Sequence, residues 1–306
     1  MQVFRKLQKN MLTNSSLALG VFDGAHLGHQ KVIKDAVEKA RNMNLTSGVV
    51  TFSCHPKFII SGISPEVITP LEDKLQFFQE LGVNATIVLE FNEKLAKMTA
   101  SEYLKEILQD CLGVKSISVG YNHKLGSDKR GAADFLTDYC SENNINLSII
   151  SPVKIDGHTV SSSVIRGFIT SGDVASAREF LGRPFKIKGE VIHGEQLGRK
   201  IGFPTANLQA PEEIILPLTG VYSGKVRHRG NDYTAVINVG RKPTVGTFEN
   251  ELIEAHLLNF NEDIYGEYIE VSFLDRIRDE KKFDSLEELK KQIELDCNFA
   301  GYTNSQ

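Results

Sequence analysis

Tryptophan is absent from this 306-residue chain, and cysteine occurs only four times. The cysteines (Cys54, Cys111, Cys140 and Cys297) are scattered without a CxxC pair, which excludes a disulfide framework and leaves reduced thiols of a cytoplasmic protein. No apolar run approaches the length of a membrane span, and residues 1–5 do not open a signal peptide. An excess of one charge is also missing: 35 Lys and Arg against 39 Asp and Glu leave −4, so nucleic acid has no basic footprint to bind. Internal repeats and low-complexity segments are absent, as are the GK[ST] phosphate loop and the GxGxxG turn. What remains is a hydrophobic content of 41% and a charged content of 24%, ordinary for a soluble globular protein and long enough for two domains.

Residues 17–30, LALGVFDGAHLGHQ, organise the first half. An apolar run meets Gly20, then Phe22-Asp23-Gly24, then His26 and His29 around Gly28, and a helical pattern follows through Val32, Ile33, Ala36, Val37 and Ala40. Strand, glycine turn and helix start place free N–H groups and a partial positive charge at the turn, which suits phosphate. Gly28 lets an anion approach the backbone, and two histidines three apart share one face of the first turn and can donate to phosphate oxygens. Surface solvation or a metal pair would also place two histidines so, although no matching Cys or carboxylate cluster follows. An HxGH turn after a first strand resembles the nucleotidyltransferase superfamily, which transfers a nucleotide from a nucleoside triphosphate with loss of pyrophosphate.

The pattern predicts further strands at 47–52, 85–89, 114–119 and 147–150, and helices at 71–81, 100–112 (Ser101 as its N-cap) and 135–143. The second strand ends in the loop Cys54-His55-Pro56, and the fourth in the 120–126 loop. Alternation of strand and helix predicts a parallel, doubly wound sheet. Beyond it, Ser161, Ser162 and Ser163 open a helix with Arg166 one turn on: either a second anion site or an ordinary serine cap beside a solvated arginine.

These motifs together (GxFDGxHxGHQ, TFxxHP, the glycine-flanked 120–126 loop, and SSxxIR ending in LGRPF) resemble the adenylyltransferase module of the bacterial bifunctional riboflavin kinase/FAD synthetase family. The resemblance implies a Rossmann-like fold that joins FMN to AMP from Mg-ATP. It assigns His26 and His29, with Gly24 and Gly28, to ATP phosphates, and places Gly20, Phe22 and Asp23 in the same cofactor-binding turn. Ser162, Ser163 and Arg166 fall to the β,γ-phosphate tail and Asn122 to the nucleotide site. The family usually carries aromatics in the 120–126 loop, where this chain has His123 and Leu125.

From Phe185 the pattern changes to short β-rich runs at 186–193, 220–226, 233–239, 252–258 and 268–273, with a helix from Ser285, predicting a small antiparallel barrel. The change sets the domain limits at 1–183 and 184–306. Within the loop at 198–207, Thr205 and Asn207 are two apart, so on an extended segment a hydroxyl and a carboxamide face one side as oxygen donors suited to Mg²⁺; a polar turn would read the same way. Alternation puts Glu254 and His256 on one face of their strand, and the spacing alone also fits a solvated carboxylate. GRxxGFPTAN, GVYxG, NVGxxPT at 238–244, IEAHLLNF and YGxxIEV resemble, in this order, the riboflavin kinase module of the same family. That resemblance implies a six-stranded barrel with a C-terminal helix, Glu254 as general base, Gly198, Arg199, Gly202 and Pro204 at the nucleotide, Thr205 and Asn207 on Mg²⁺, and Arg278 in a flavin-side loop.

The reading is therefore a cytoplasmic bifunctional flavin enzyme, with ATP, riboflavin and FMN as small-molecule substrates and FAD as product. A paralogue with one working module, and a non-catalytic flavin or nucleotide sensor on the same fold, are the alternatives. Retention of a base and both phosphate sites argues against the sensor.

Overall fold

Leu17 and Leu19 face one apolar cluster while Ala18, between them, faces another, because successive strand side chains point to opposite sides of a sheet. A strand buried on both faces belongs in the middle of a covered parallel sheet. The computed structural model describes residues 1–54, 56, 65–127, 133–194, 197–242 and 250–303. His55, Pro243 and Thr244, part of the motifs quoted above, lie outside the described residues. The chain divides into two compact units, Met1–Ser161 and Ser162–Gln306.

The first unit holds β1 (Gln2–Phe4), β2 (Ser15–Leu19), β3 (Thr46–Phe52), β4 (Ala85–Leu89), β5 (Val114–Gly120) and β6 (Asn146–Ile150) in the order β1-β4-β3-β2-β5-β6, every pair parallel. Each strand expected from the sequence is present. β1 escaped the pattern because three residues are too short to show a period. A two-stranded hairpin, β7 (Lys154–Ile155) with β8 (His158–Thr159), follows. One expected cap is corrected. Thr99, not Ser101, caps the helix that begins at Ala100, and Thr99 and Glu102 exchange hydrogen bonds as a capping box; Tyr103–Gln109 continues it as a π-helix. The capping box satisfies two N–H groups at once, which a serine two residues on cannot do.

In the second unit β9 (Phe185–Ile192), β10 (Ala206–Gln209), β11 (Gly220–His228), β12 (Asn231–Lys242), β13 (Asn250–Leu257) and β14 (Tyr268–Arg278) close an antiparallel barrel in the order β10-β13-β12-β11-β14-β9. Ile187, Tyr222, Ile237, Ala255 and Phe273 fill it and are fully buried. Helix Leu286–Thr303 lays Ala300 on an outer patch made by Val221 and Val236. The helices Ser162–Thr170 and Val174–Leu181 group with this barrel: Gly172 between them stands where a Cβ would overlap the Arg276 side chain, and Leu218 N–H donates to Ile169 O at 3.2 Å. The compact division thus falls before these helices, whereas the change of sequence pattern falls after them. Among the described residues no helix is long and apolar enough to cross a membrane.

Candidate active sites

Chain order in the first sheet runs outward from β2 through β3 to β4, then returns to β5 on the other side of β2. Such a reversal opens a crevice at the carboxyl ends of β2 and β5, where this fold class binds ligands. The turn after β2 is built tightly: Phe22, Gly24 and Ala25 take φ of 54°, 80° and 40°, a left-handed run that costs free energy and needs outside support. Phe22 supplies some of it, buried edge-on against Phe78 and His29 with ring centroids 5.8 and 5.3 Å away. Asp23 supplies more, accepting from the Ile68 and Thr69 N–H groups at 3.0 and 3.2 Å. The buried Lys74 ammonium donates to Val21 O at 3.1 Å; burial lowers its pKa and the nearby Asp23 partly offsets this.

His26 is the N-cap of helix Leu27–Asn42, and its Nδ1 accepts from the His29 N–H at 3.3 Å. An Nδ1 that accepts leaves the ring hydrogen on Nε2. The two imidazoles stack with centroids 3.5 Å apart and 18° between their planes. Gly28 has a packing reason beyond anion approach, since a Cβ there would stand 3.2 Å from the His26 ring; one on Gly20 would meet the Phe22 ring at 3.0 Å. The first turn carries no acidic residue to compete for the helix's positive end, and Lys39 and Arg41 complement the negative end in the last turn.

After β5, Asn122 is exposed, while His123 turns inward and its Nε2 has no hydrogen-bond partner among the described residues. Burial pushes the His123 pKa down to about 4. Leu125, like Leu95 and Met98, is a partly buried side chain packed against the cluster containing Ile107. Leu95, Met98 and Ile107 also line a cleft of about 400 Å³, whose lining includes Arg5, Lys6 and Lys94. Ser162, Ser163 and Arg166 stand on the first helix of the second unit, which buries Ile165 and Ile169.

In the barrel, Gly198 and Arg199 lie on a short helix, Leu197–Ile201, where the sequence suggested a loop. Gly202, at φ 93°, ends that helix, and Phe203 N–H closes back on Gly198 O at 2.8 Å. The chain then passes Pro204 and Thr205 into β10. His256 secures the turn, since its Nδ1 lies 2.7 Å from the Pro204 carbonyl, which can only accept, and its ring meets Phe203 edge-on.

β10 and β12 flank β13, and their register sets Asn207 and Asn238 on either side of Glu254. Directly opposite residues share a face, here the outer one, because Ile253 and Ala255 point into the barrel. Asn207 is 4% exposed, and its Oδ1 has no hydrogen-bond partner among the described residues. Gly194 lies so close that a Cβ would overlap the Asn207 carboxamide. An orphaned, buried carboxamide oxygen beside a carboxylate suits a hard cation that prefers oxygen. Arg199, Pro204 and Thr205 also form one wall of a cleft of 350 Å³, faced by Phe260, Glu262 and Tyr265, which sequence patterning had not marked.

Arg278 is the last residue of β14 rather than part of a loop. Its guanidinium grips Asp296 of the C-terminal helix through Nε at 3.1 Å and Nη2 at 2.8 Å, and Gln292 donates to the same carboxylate at 3.0 Å.

Residues 8–164 match the family model for FAD synthetase and residues 181–302 that for riboflavin kinase. A bifunctional riboflavin kinase/FMN adenylyltransferase of Bacillus subtilis is 37% identical over 294 residues, covering 95% of this chain and 92% of the relative. The Haemophilus influenzae protein of the same description is 36% identical over 98% of both chains. A crystal structure from Streptococcus pneumoniae, titled a macrolide-efflux protein, superposes with a TM-score of 0.91 at 32% identity, covering 98% of this chain and 99% of that one.

Proposed function

This chain belongs to the bifunctional riboflavin kinase/FMN adenylyltransferase family, and we infer from that membership how its residues share two reactions. It phosphorylates riboflavin to FMN with ATP, and it transfers AMP from ATP to FMN, releasing pyrophosphate. In this reading residues 1–183 serve adenylyl transfer and 184–306 the kinase step, in the cytoplasm.

In the kinase step the ribityl 5′-hydroxyl forms a bond to the ATP γ-phosphorus, the β,γ-bridging P–O bond breaks, and ADP leaves. Glu254 takes the hydroxyl proton. Gly198, Arg199, Gly202 and Pro204 shape the nucleotide side. Thr205 and Asn207 would hold Mg²⁺, and the orphaned Asn207 Oδ1 fits that role. The ion, when bound, supplies charge neutralisation on the phosphate oxygens. Arg278, committed to Asp296, acts by fixing the segment that follows it on the flavin side.

In adenylyl transfer a phosphate oxygen of FMN attacks the ATP α-phosphorus and pyrophosphate departs. The nucleophile is already an anion, so positioning and charge stabilisation carry the step. His26, His29 and the N–H groups around Gly24 and Gly28 hold phosphates, and the turn of Gly20, Phe22 and Asp23 keeps them in place. By the family motif, Ser162, Ser163 and Arg166 take the β,γ tail and Asn122 the nucleotide. The cleft lined by Leu95, Met98 and Ile107 offers apolar walls to an isoalloxazine ring, and Arg5, Lys6 and Lys94 offer cations to its phosphate.

The observation that carries this reading is the register of Asn207 with Glu254, which sets an oxygen donor beside the proposed base. Purified protein with riboflavin, ATP and Mg²⁺ should yield FMN and then FAD when the flavins are separated chromatographically. A chain that binds flavin but leaves riboflavin unchanged would overturn the reading.

A further inference from the structure

Helix Leu71–Glu80 buries Lys74 together with Leu75 and Phe78, and Lys74 is only 6% exposed. Burying an ammonium costs free energy, and a methionine would fill the same place without that cost, so packing alone does not call for a lysine. Its contacts all lead to one place. Lys74 Nζ donates to Val21 O at 3.1 Å, an oxygen that also accepts from Thr51 Oγ1 at 3.0 Å. Phe78, four residues on and on the same face, packs edge-on against Phe22. Ile68 and Thr69, just before the helix, donate their N–H groups to Asp23 Oδ1. The 68–78 segment thus grips Val21, Phe22 and Asp23, three consecutive residues of the turn that leads to His26.

Asp23 is the only carboxylate between Gly20 and Gln30, and it is 4% exposed. A buried negative charge beside a helix N-terminus repels the anions that the N–H groups attract, and low dielectric strengthens the repulsion. Two amide hydrogen bonds fix the carboxylate but leave its charge in place. Lys74 lies close enough that the Asp23 charge partly restores the proton affinity that burial takes from it. The ammonium supplies the opposite charge from the helix packed against the turn.

We propose that Lys74 is a positioning residue of adenylyl transfer: its ammonium balances Asp23 and anchors the Val21 carbonyl, so that the turn before His26 receives ATP phosphates. The proposal rests on the reading of that turn as a phosphate site. Lys74 acts through Val21 and Asp23, and it bears on ATP in FAD synthesis and not in the kinase step.

The test compares KM for ATP in FAD formation from supplied FMN across variants of the full chain. Lys74→Gln keeps an N–H donor for Val21 O but removes the charge, and should raise this KM roughly ten-fold. Lys74→Met removes both and should raise it further. Asp23→Asn in the Lys74→Gln background keeps an oxygen for the Ile68 and Thr69 amides, removes the unbalanced charge and should recover most of the loss. FAD synthesis at saturating ATP should change little, which reports that the variants are folded, and KM for ATP in riboflavin phosphorylation should hold. A purely structural lysine would lower the melting temperature with KM unmoved, or leave the double variant worse than Lys74→Gln alone; either result overturns the proposal. FAD synthesis lost at every ATP concentration in both Lys74→Gln and the double variant overturns it as well. If His26→Ala leaves KM for ATP unchanged, the turn is not the phosphate site and the reading beneath the proposal has failed; a raised KM there with Lys74→Gln unaltered removes the counter-charge alone.

Discussion

Arg278 ends β14 with its guanidinium closed on Asp296, a carboxylate only 2% exposed on the C-terminal helix. The pair ties the helix to the strand that leads into the 279–285 segment. Removing one partner of a buried pair leaves the other as an uncompensated charge, at a cost of about 3–5 kcal/mol. Arg278→Ala should therefore lower the denaturation midpoint sharply, and Arg278→Met with Asp296→Leu should recover much of the loss. A change under about 1 kcal/mol in Arg278→Ala, the range of exposed pairs, would show that the pair is solvated.

Glu254→Gln should abolish FMN formation while FAD formation from supplied FMN continues. The amide keeps the shape but accepts no proton, and losing a general base costs roughly 10²–10⁴-fold. Both activities are read from one chromatogram, and near-normal phosphorylation in the variant would remove Glu254 from the reaction.

The reciprocal loss is expected at the other site. His29→Ala removes one ring of the stacked pair and an edge contact to Phe22. Arg166→Ala removes a candidate ligand of the triphosphate tail. Each should block FAD synthesis and let FMN accumulate. Parallel loss of both activities in a folded variant would mean that the two reactions are not separable.

Leu125→Phe should lower KM for FMN about two- to twelve-fold if the ring reaches the flavin, since one aromatic contact is worth about 0.5–1.5 kcal/mol beyond its area. KM for ATP should hold. Leu125 already packs against the buried cluster that contains Ile107, so the larger ring must fit beside that cluster. An unchanged KM for FMN would leave Leu125 as packing alone.

His123 makes a pH prediction. Its folded pKa is lowered to about 4 from 6.5 by burial, so the unfolded chain takes up the proton first as pH falls. The neutral ring costs nothing above 6.5, and stability is lost as pH drops from there toward 4. His123→Gln should flatten the acid side of a thermal-melting profile between those values. An unchanged profile would show that the ring is solvated.

Much of both sites was legible because local chemistry wrote it. The strand, glycine and histidine order at 17–30 produces a helix N-terminus whichever fold surrounds it, and the alternation at 252–258 announces which face holds Glu254. Other features were hidden. Asp23 sits in a phosphate-like motif yet spends Oδ1 on the Ile68 and Thr69 amides, some 45 residues away. The Leu197–Ile201 helix was hidden by Gly198 within it and Gly202 after it, and β10 by its four-residue length.

By itself the sequence determined the element types, the change from doubly wound sheet to barrel, and the residue kinds suited to each reaction. Those depend on period, composition and neighbours a few positions away. Tertiary structure alone decided the cross-strand row of Asn207, Glu254 and Asn238, because register is a relation between strands far apart in the chain. It also decided that Arg278 faces Asp296 and that the helices at 162–181 pack with the barrel. Each is a choice of which buried surfaces meet, and burial energy depends on the partner face rather than on the segment that carries it.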